Sequence, residues 1–178
     1  MIFNLAQETG RSAFATRASA IELRNSITSL LATLQDSETL EISLEGVEAL
    51  TISFADEFVA KLALERRFGS TDTFFLLSNS TEEVLETIEI ALERRSLFVA
   101  HRASNGDLRL IAAPAHLKST FQLAIEMREF TARQLADRLE IKLPAANNRI
   151  KQLAEAGVVI RRRQIPLHGG REYLYSAA

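Results

Sequence analysis

Residues 143–163 read LPAANNRIKQLAEAGVVIRRR. The spacing predicts an amphipathic helix, with Pro144 suited to its first turn and Gly157 to its end. Winding it at about 100° per residue with Ile150 toward a core brings Ala146, Leu153 and Ala154 within roughly 60° of Ile150. Leu143 lies close to the same stripe. Ala145, Asn148 and Gln152 then point nearly the opposite way, Asn147 completes an asparagine pair, and Arg149 and Lys151 flank the outer face. A solvated helix more often carries Glu–Lys pairs at i, i+4, yet Glu155 is the single acid here. Side-chain amides can bond an adenine edge in two places, alanine can meet a thymine methyl, and cations hold phosphates. That composition suits a helix lying in the major groove of double-stranded DNA.

The arginines that follow belong to a strand-like run. Alternation predicts that Arg161 and Arg163 share one side and Arg162 the other. Gly169-Gly170 turn the chain into a second run, "REYLYSA", on which Arg171 brings back positive charge. A basic hairpin beside a reading helix makes a phosphate clamp. The alternative is a solvated edge whose charges discourage stray strand pairing. Before these elements come "HLKSTFQLAIEMREF", read as a helix, and "TARQLADRL", a short helix that Thr131 and Gln134 open as a capping box.

Charge supports a division of the chain. From residue 114 onward 11 Lys and Arg stand against 6 Asp and Glu, whereas residues 1–113 carry 10 against 17. The net of −2 therefore hides a basic tail and an acidic front. Apolar residues make up 47% of the chain and charged ones 25%, as in globular proteins. The absence of cysteine excludes disulfides, thiol catalysis and cysteine-bound metal, and fits a cytoplasmic setting. "MIFNLAQETGRS" lacks the pattern of a signal peptide, and no apolar run approaches a membrane span.

In the front part, strand and helix patterns alternate. "MIFNL" reads as a short strand; 12–34 as a helix through Phe14, Ala18, Ile21, Ile27, Leu30, Leu31 and Leu34; and "TLEISLEGV" as a half-buried strand. "SFADEFVAKLALERRFG" reads as a helix opened by Ser53 with Asp56 and stopped at Gly69. "DTFFLLSN" is a central strand, and Ser80 with Glu83 opens the helix after it. Helices alternating with strands imply an α/β layer. Asn105-Gly106 between "LFVAHR" and "LRLIAA" signals a hairpin. This 98–113 segment closes the first domain, opens the second or bridges them; spacing alone does not choose. His101, His116 and His168 stand apart without carboxylates at ligand spacing, and no glycine-rich phosphate loop or serine-nucleophile motif occurs, so the sequence calls for no metal, cofactor or catalytic site.

The tail resembles the winged helix-turn-helix superfamily of bacterial transcription regulators. "FTARQLADRLEI", "AANNRIKQLAEAGVVIRRR" and "GGREYLYSA" fall where that superfamily has its second helix, its recognition helix running into the wing, and its second wing strand. The front resembles STAS-like domains related to anti-sigma-factor antagonists. The likeness rests on Gly46, Val47, Ser53, Phe54, Ala55, Asp56 and Glu57, with Phe58 in place of Leu, and on Arg17-Ala18 upstream. In that family a serine at this turn is phosphorylated by a kinase-like ATPase partner. The family has Asp-Ser-Ser-Gly or similar where this chain has Thr51-Ile52-Ser53-Phe54. Ser53 is thus read first as a helix cap and second, with Thr51, as a phosphate acceptor; Asp56 and Glu57 are read as charge for a partner.

The combined expectation is a STAS-like α/β domain over 1–97, a hairpin or bridge over 98–113, and a winged helix-turn-helix (α+β) domain over 114–178. The expected function is a non-enzymatic, cytoplasmic transcriptional regulator that binds double-stranded DNA through Ala145, Asn147, Asn148, Arg149, Lys151, Gln152, Arg161, Arg162, Arg163 and Arg171. A homodimer would read two half-sites. The alternatives are a protein-interaction adaptor and a switch phosphorylated near Ser53.

Overall fold

The computed structural model describes residues 1–35, 38–68, 74–167 and 170–177, with side chains at all of these except 67, 68, 163–167, 170 and 171. The chain divides into two compact units, Met1–Ala113 and Pro114–Ala178. Both mix helix and strand.

In the first unit five described strands form one sheet: β1 (Ile2–Asn4), β3 (Thr39–Ser43), β5 (Phe74–Ser78), β6 (Val99–Arg102) and β7 (Leu108–Ile111), in that spatial order. Neighbours are parallel except β6 and β7, which form the antiparallel hairpin. The segment left open by its spacing is therefore the edge of the first unit's sheet. Its connection is longer than a two-residue turn: Ala103 N–H bonds Asp107 O (2.9 Å), and Asn105 Oδ1 accepts from Asp107 N–H (3.0 Å). Gly106 supplies the positive φ of 89° that this turn requires. Strand β5 is central and buried at every position, as its unbroken apolar run implies.

Five helices and a short two-stranded pairing complete this unit among the described residues: α1 (Leu5–Thr9), α2 (Arg17–Leu31), α3 (Ile52–Ala55), α4 (Lys61–Phe68) and α5 (Glu82–Glu93), with β2 (Ala13–Phe14) parallel to β4 (Ala49–Leu50). Asp56–Ala60 joins α3 to α4 as a π-helical segment. Leu23, Ile27, Phe54, Phe58, Ile88 and Leu92 of these helices share one core with Ile42, Leu77, Val99 and Ile111 of the sheet.

Several local readings are corrected. Residue 5 opens α1 rather than ending a strand, because Asn4 caps it by accepting from Gln7 N–H (2.9 Å). The helix expected from residue 12 starts at Arg17, where Thr16 caps it; Phe14 is held instead in β2. Its buried stripe is Ala20, Leu23, Ile27 and Leu31, leaving Ala18 and Ile21 exposed. Thr51, not Ser53, caps α3: its Oγ1 accepts from Phe54 N–H (3.2 Å) and donates to Ala15 O (2.9 Å). Thr81, not Ser80, caps α5 through Val84 N–H. The proposed stop at Gly69 lies outside the described residues.

The second unit runs α6 (Ala115–Met127), β8 (Glu129–Thr131), α7 (Ala132–Arg138), α8 (Leu143–Glu155), β9 (Val159–Leu167) and β10 (Gly170–Ala177). Its described strands are ordered β8-β10-β9, all antiparallel. Helix α6 ends before the expected "REF", since Arg128 turns out of it at φ 61° and frees Glu129–Thr131 to pair with β10. The capping box of Thr131 and Gln134 is present in both directions (3.3 and 2.9 Å). Helix α8 ends in a Schellman turn: Val158 N–H bonds Leu153 O (3.0 Å) and Gly157 N–H bonds Ala154 O (2.9 Å), with Gly157 at φ 72°.

Candidate nucleic-acid interface

Helix α8 is held by Ala146, Ile150 and Leu153, each at most 2% exposed. They recur at i, i+4 and i+7, one stripe of an α-helix. The stripe is narrower than the sequence suggested: Ala154 is exposed, and so is Leu143 at the helix start, at 39%. Most of the remaining positions face outward. Ala145, Asn147, Asn148 and Lys151 are exposed, and Gln152 is half-buried. Its Nε2 donates to Asn148 O one turn back (3.4 Å), so that amide folds along the helix. Glu155 lies 3.8 Å from Lys151, a solvated pair of little energetic weight.

Arg149 departs from the expectation. It is half-buried, and its Nη1 donates to Thr120 Oγ1 (3.1 Å) and reaches His116 O (3.5 Å), both on α6. Thr120 is fully buried, and its own hydroxyl proton goes to His116 O (2.6 Å). The guanidinium thus ties α8 to α6 instead of standing on the outer face with Asn148. The signal available to sequence reasoning was the position itself: residue 149 precedes the core residue Ile150 and lies on the flank of the stripe.

The terminal hairpin brings Arg161 and Arg162 to the surface, both exposed. Strict alternation fails here. Pairing passes from Leu174↔Arg163 to Tyr175↔Arg161, so Arg162 is the extra residue of a β-bulge. Arg161 lies over the ring of Tyr173 at 4.6 Å, and Arg162 Nε donates to Ser176 Oγ (2.8 Å). These contacts restrict two long side chains while leaving their charge at the surface. Tyr175 stacks on Phe130 at 5.9 Å, and burial raises its phenol pKa above the ordinary value. The side chains of Arg163 and Arg171 lie outside the described residues, as does Gly169.

In the first unit, Thr51 and Ser53 are both exposed at the start of α3. The acids beside them, Asp56 half-buried and Glu57 buried, are paired within the chain. Asp56 takes a two-pronged bond from Arg95 (2.6 and 2.9 Å), which holds its carboxyl below the usual range. Glu57 is 4% exposed and pairs with Lys61 (2.7 Å) and Arg24 (3.3 Å); Arg24 also bonds Glu65. Glu57 lies within the π-helical turn, and both its oxygens are satisfied there.

His101 on β6 is 3% exposed, and its Nε2 shares a hydrogen bond with Ser80 Oγ (2.9 Å). Burial, aided by the charge of Arg109, lowers its pKa to about 4. No cluster of three or more metal-ligating side chains occurs among the described residues, and none of their helices is long and apolar enough to cross a membrane. Compared with family models, curated proteins and solved structures, the chain matches none.

Proposed function

We propose that the chain is a cytoplasmic, DNA-binding transcriptional regulator. In this reading Pro114–Ala178 is a winged helix-turn-helix unit and α8 is its recognition helix. Met1–Ala113 is a STAS-like unit that dimerises the protein or receives a signal from a protein partner. The observation that carries the reading is the outer face of α8. Ala145, Asn147, Asn148 and Lys151 are all exposed, on a helix whose single acid is already beside a lysine. The order helix–strand–helix–helix–hairpin and the two exposed arginines of β9 support it further. Asn147 and Asn148 would meet base edges, while Lys151, Arg161 and Arg162 would meet phosphates.

Fluorescence anisotropy with labelled genomic duplexes across a salt series tests the reading. Tight binding at low salt is expected, with log K falling linearly in log salt at about 0.9 per neutralised phosphate. Absence of binding to every duplex at low salt would remove it and leave the protein-interaction adaptor in its place.

A further inference from the structure

Gly10 ends α1 in the left-handed region at φ 65°, and Arg11 N–H bonds back to Ala6 O (3.3 Å). The chain then turns into β2 and reaches α2. These three elements surround an open recess of about 280 Å³. Its α2 wall is Ser19, Glu22, Leu23 and Ser26, spaced i, i+3, i+4 and i+7 on one helix face. Phe14 and Leu23, 4% and 8% exposed, give it apolar lining, and Arg11 and Glu22 give it two opposite charges.

Among the described residues the side chains of Arg11 and Glu22 have no hydrogen-bond or ion-pair partner, and they do not pair with each other. Ser26 donates its hydroxyl proton to Glu22 O (3.1 Å), which leaves its oxygen open as an acceptor. Ser19 donates to Thr16 O (3.0 Å) and shares a second bond with Thr16 Oγ1 (2.8 Å), so its oxygen keeps one open lone pair. Acceptors of this kind suit an ammonium group. A guanidinium fork suits a carboxylate. The volume falls just below the range of drug-sized pockets, which calls for a smaller ligand.

We infer that this recess binds a free zwitterionic amino acid with an aliphatic side chain. Its carboxylate meets Arg11, its ammonium meets Glu22 and the acceptor oxygens of Ser19 and Ser26, and its side chain lies on Phe14 and Leu23. Each partner offers what the recess leaves unpaired. The inference goes beyond the DNA-binding reading and does not depend on it.

The test is an amide NMR titration of the full chain, without DNA, using L-leucine. 4-Methylpentanoate, which lacks the amine, and 3-methylbutylamine, which lacks the carboxylate, serve as single-charge controls. L-leucine is expected to shift the amides of Arg11, Phe14, Glu22 and Leu23 saturably. Each control, and each of Arg11→Ala and Glu22→Gln, is expected to weaken binding about tenfold or more, the effect of losing one charged hydrogen bond. Both positions are exposed, and the dispersion of the same spectra reports whether each variant keeps its fold. The inference is overturned by three results: no saturable shift with L-leucine, isoleucine, valine or methionine; controls that bind as well as L-leucine; or variants that bind as the wild type does.

Discussion

The guanidinium of Arg149 on α8 donates to the buried hydroxyl of Thr120 on α6, at 3.1 Å. A cation on the flank of the candidate reading helix is thereby a brace between helices. Thr120→Val removes the acceptor and also the bond to His116 O, and should cost about 1–2 kcal/mol; Arg149→Ala should cost about 1 kcal/mol. Because both changes break one shared bond, the double variant should cost less than the sum. Chemical denaturation of the four proteins measures this, and strict additivity would mean that the bond does not form in solution.

Glu140 occupies the turn after α7 at φ 53°. There Ile141 N–H bonds Ala136 O (3.0 Å) and Glu140 N–H bonds Asp137 O (3.3 Å), the same closure that Gly157 makes after α8. A side chain at such a φ costs about 1 kcal/mol relative to glycine. Glu140→Gly should therefore raise the stability of the second unit by about that amount, offset in part by the entropy of a freer unfolded chain. A fall in melting temperature would show that the strain is absent.

His101 makes the first unit sensitive to acid. Its folded pKa is lowered from 6.5 to about 4, so between those values the unfolded chain takes up a proton that the folded chain does not. Stability is full above about 6.5 and is lost as pH falls toward 4, by up to about 3 kcal/mol for this group. Asp56, held low by Arg95, acts in a separate window: its contribution is kept above the ordinary aspartate value of 3.8 and lost only below that. Denaturation of wild type and His101→Asn at pH 7.5, 5.5 and 4.5 distinguishes the two. The variant should be less stable at neutral pH yet flatter in this range; an equal slope in both proteins would exclude His101 as the cause.

Much of the second unit was legible because its signals are local. The Thr131–Gln134 box, Gly157 and the spacing of Ala146, Ile150 and Leu153 each act within a turn or two of chain. The first unit's helix starts were not, because contacts distant in sequence choose between neighbouring hydroxyls. Ser53 and Thr51 are both good caps, and Thr51 prevails because Phe14 O and Ala15 O hold its backbone and hydroxyl. Phe14 itself fits a helical period, yet pairing of β2 with β4 holds it in a strand. The bulge at Arg162 and the brace from Arg149 likewise depend on partners 14 and 29 residues away, which periodicity does not see.

In the proposed function the exposed outer face of α8 meets DNA while Arg149 braces the helix against α6. The decisive experiment is binding of wild type, Asn148→Ala, Lys151→Ala and Arg149→Ala to one selected duplex over a salt series. Asn148→Ala should cost about 1–3 kcal/mol and relax preference at one base pair, with the salt slope unchanged. Lys151→Ala should lower the slope by about 1, and Arg149→Ala should weaken binding without changing it. Wild-type binding that none of the three substitutions alters would rule out α8 as the reading helix, and a chain that binds no duplex at all would rule out DNA as the partner.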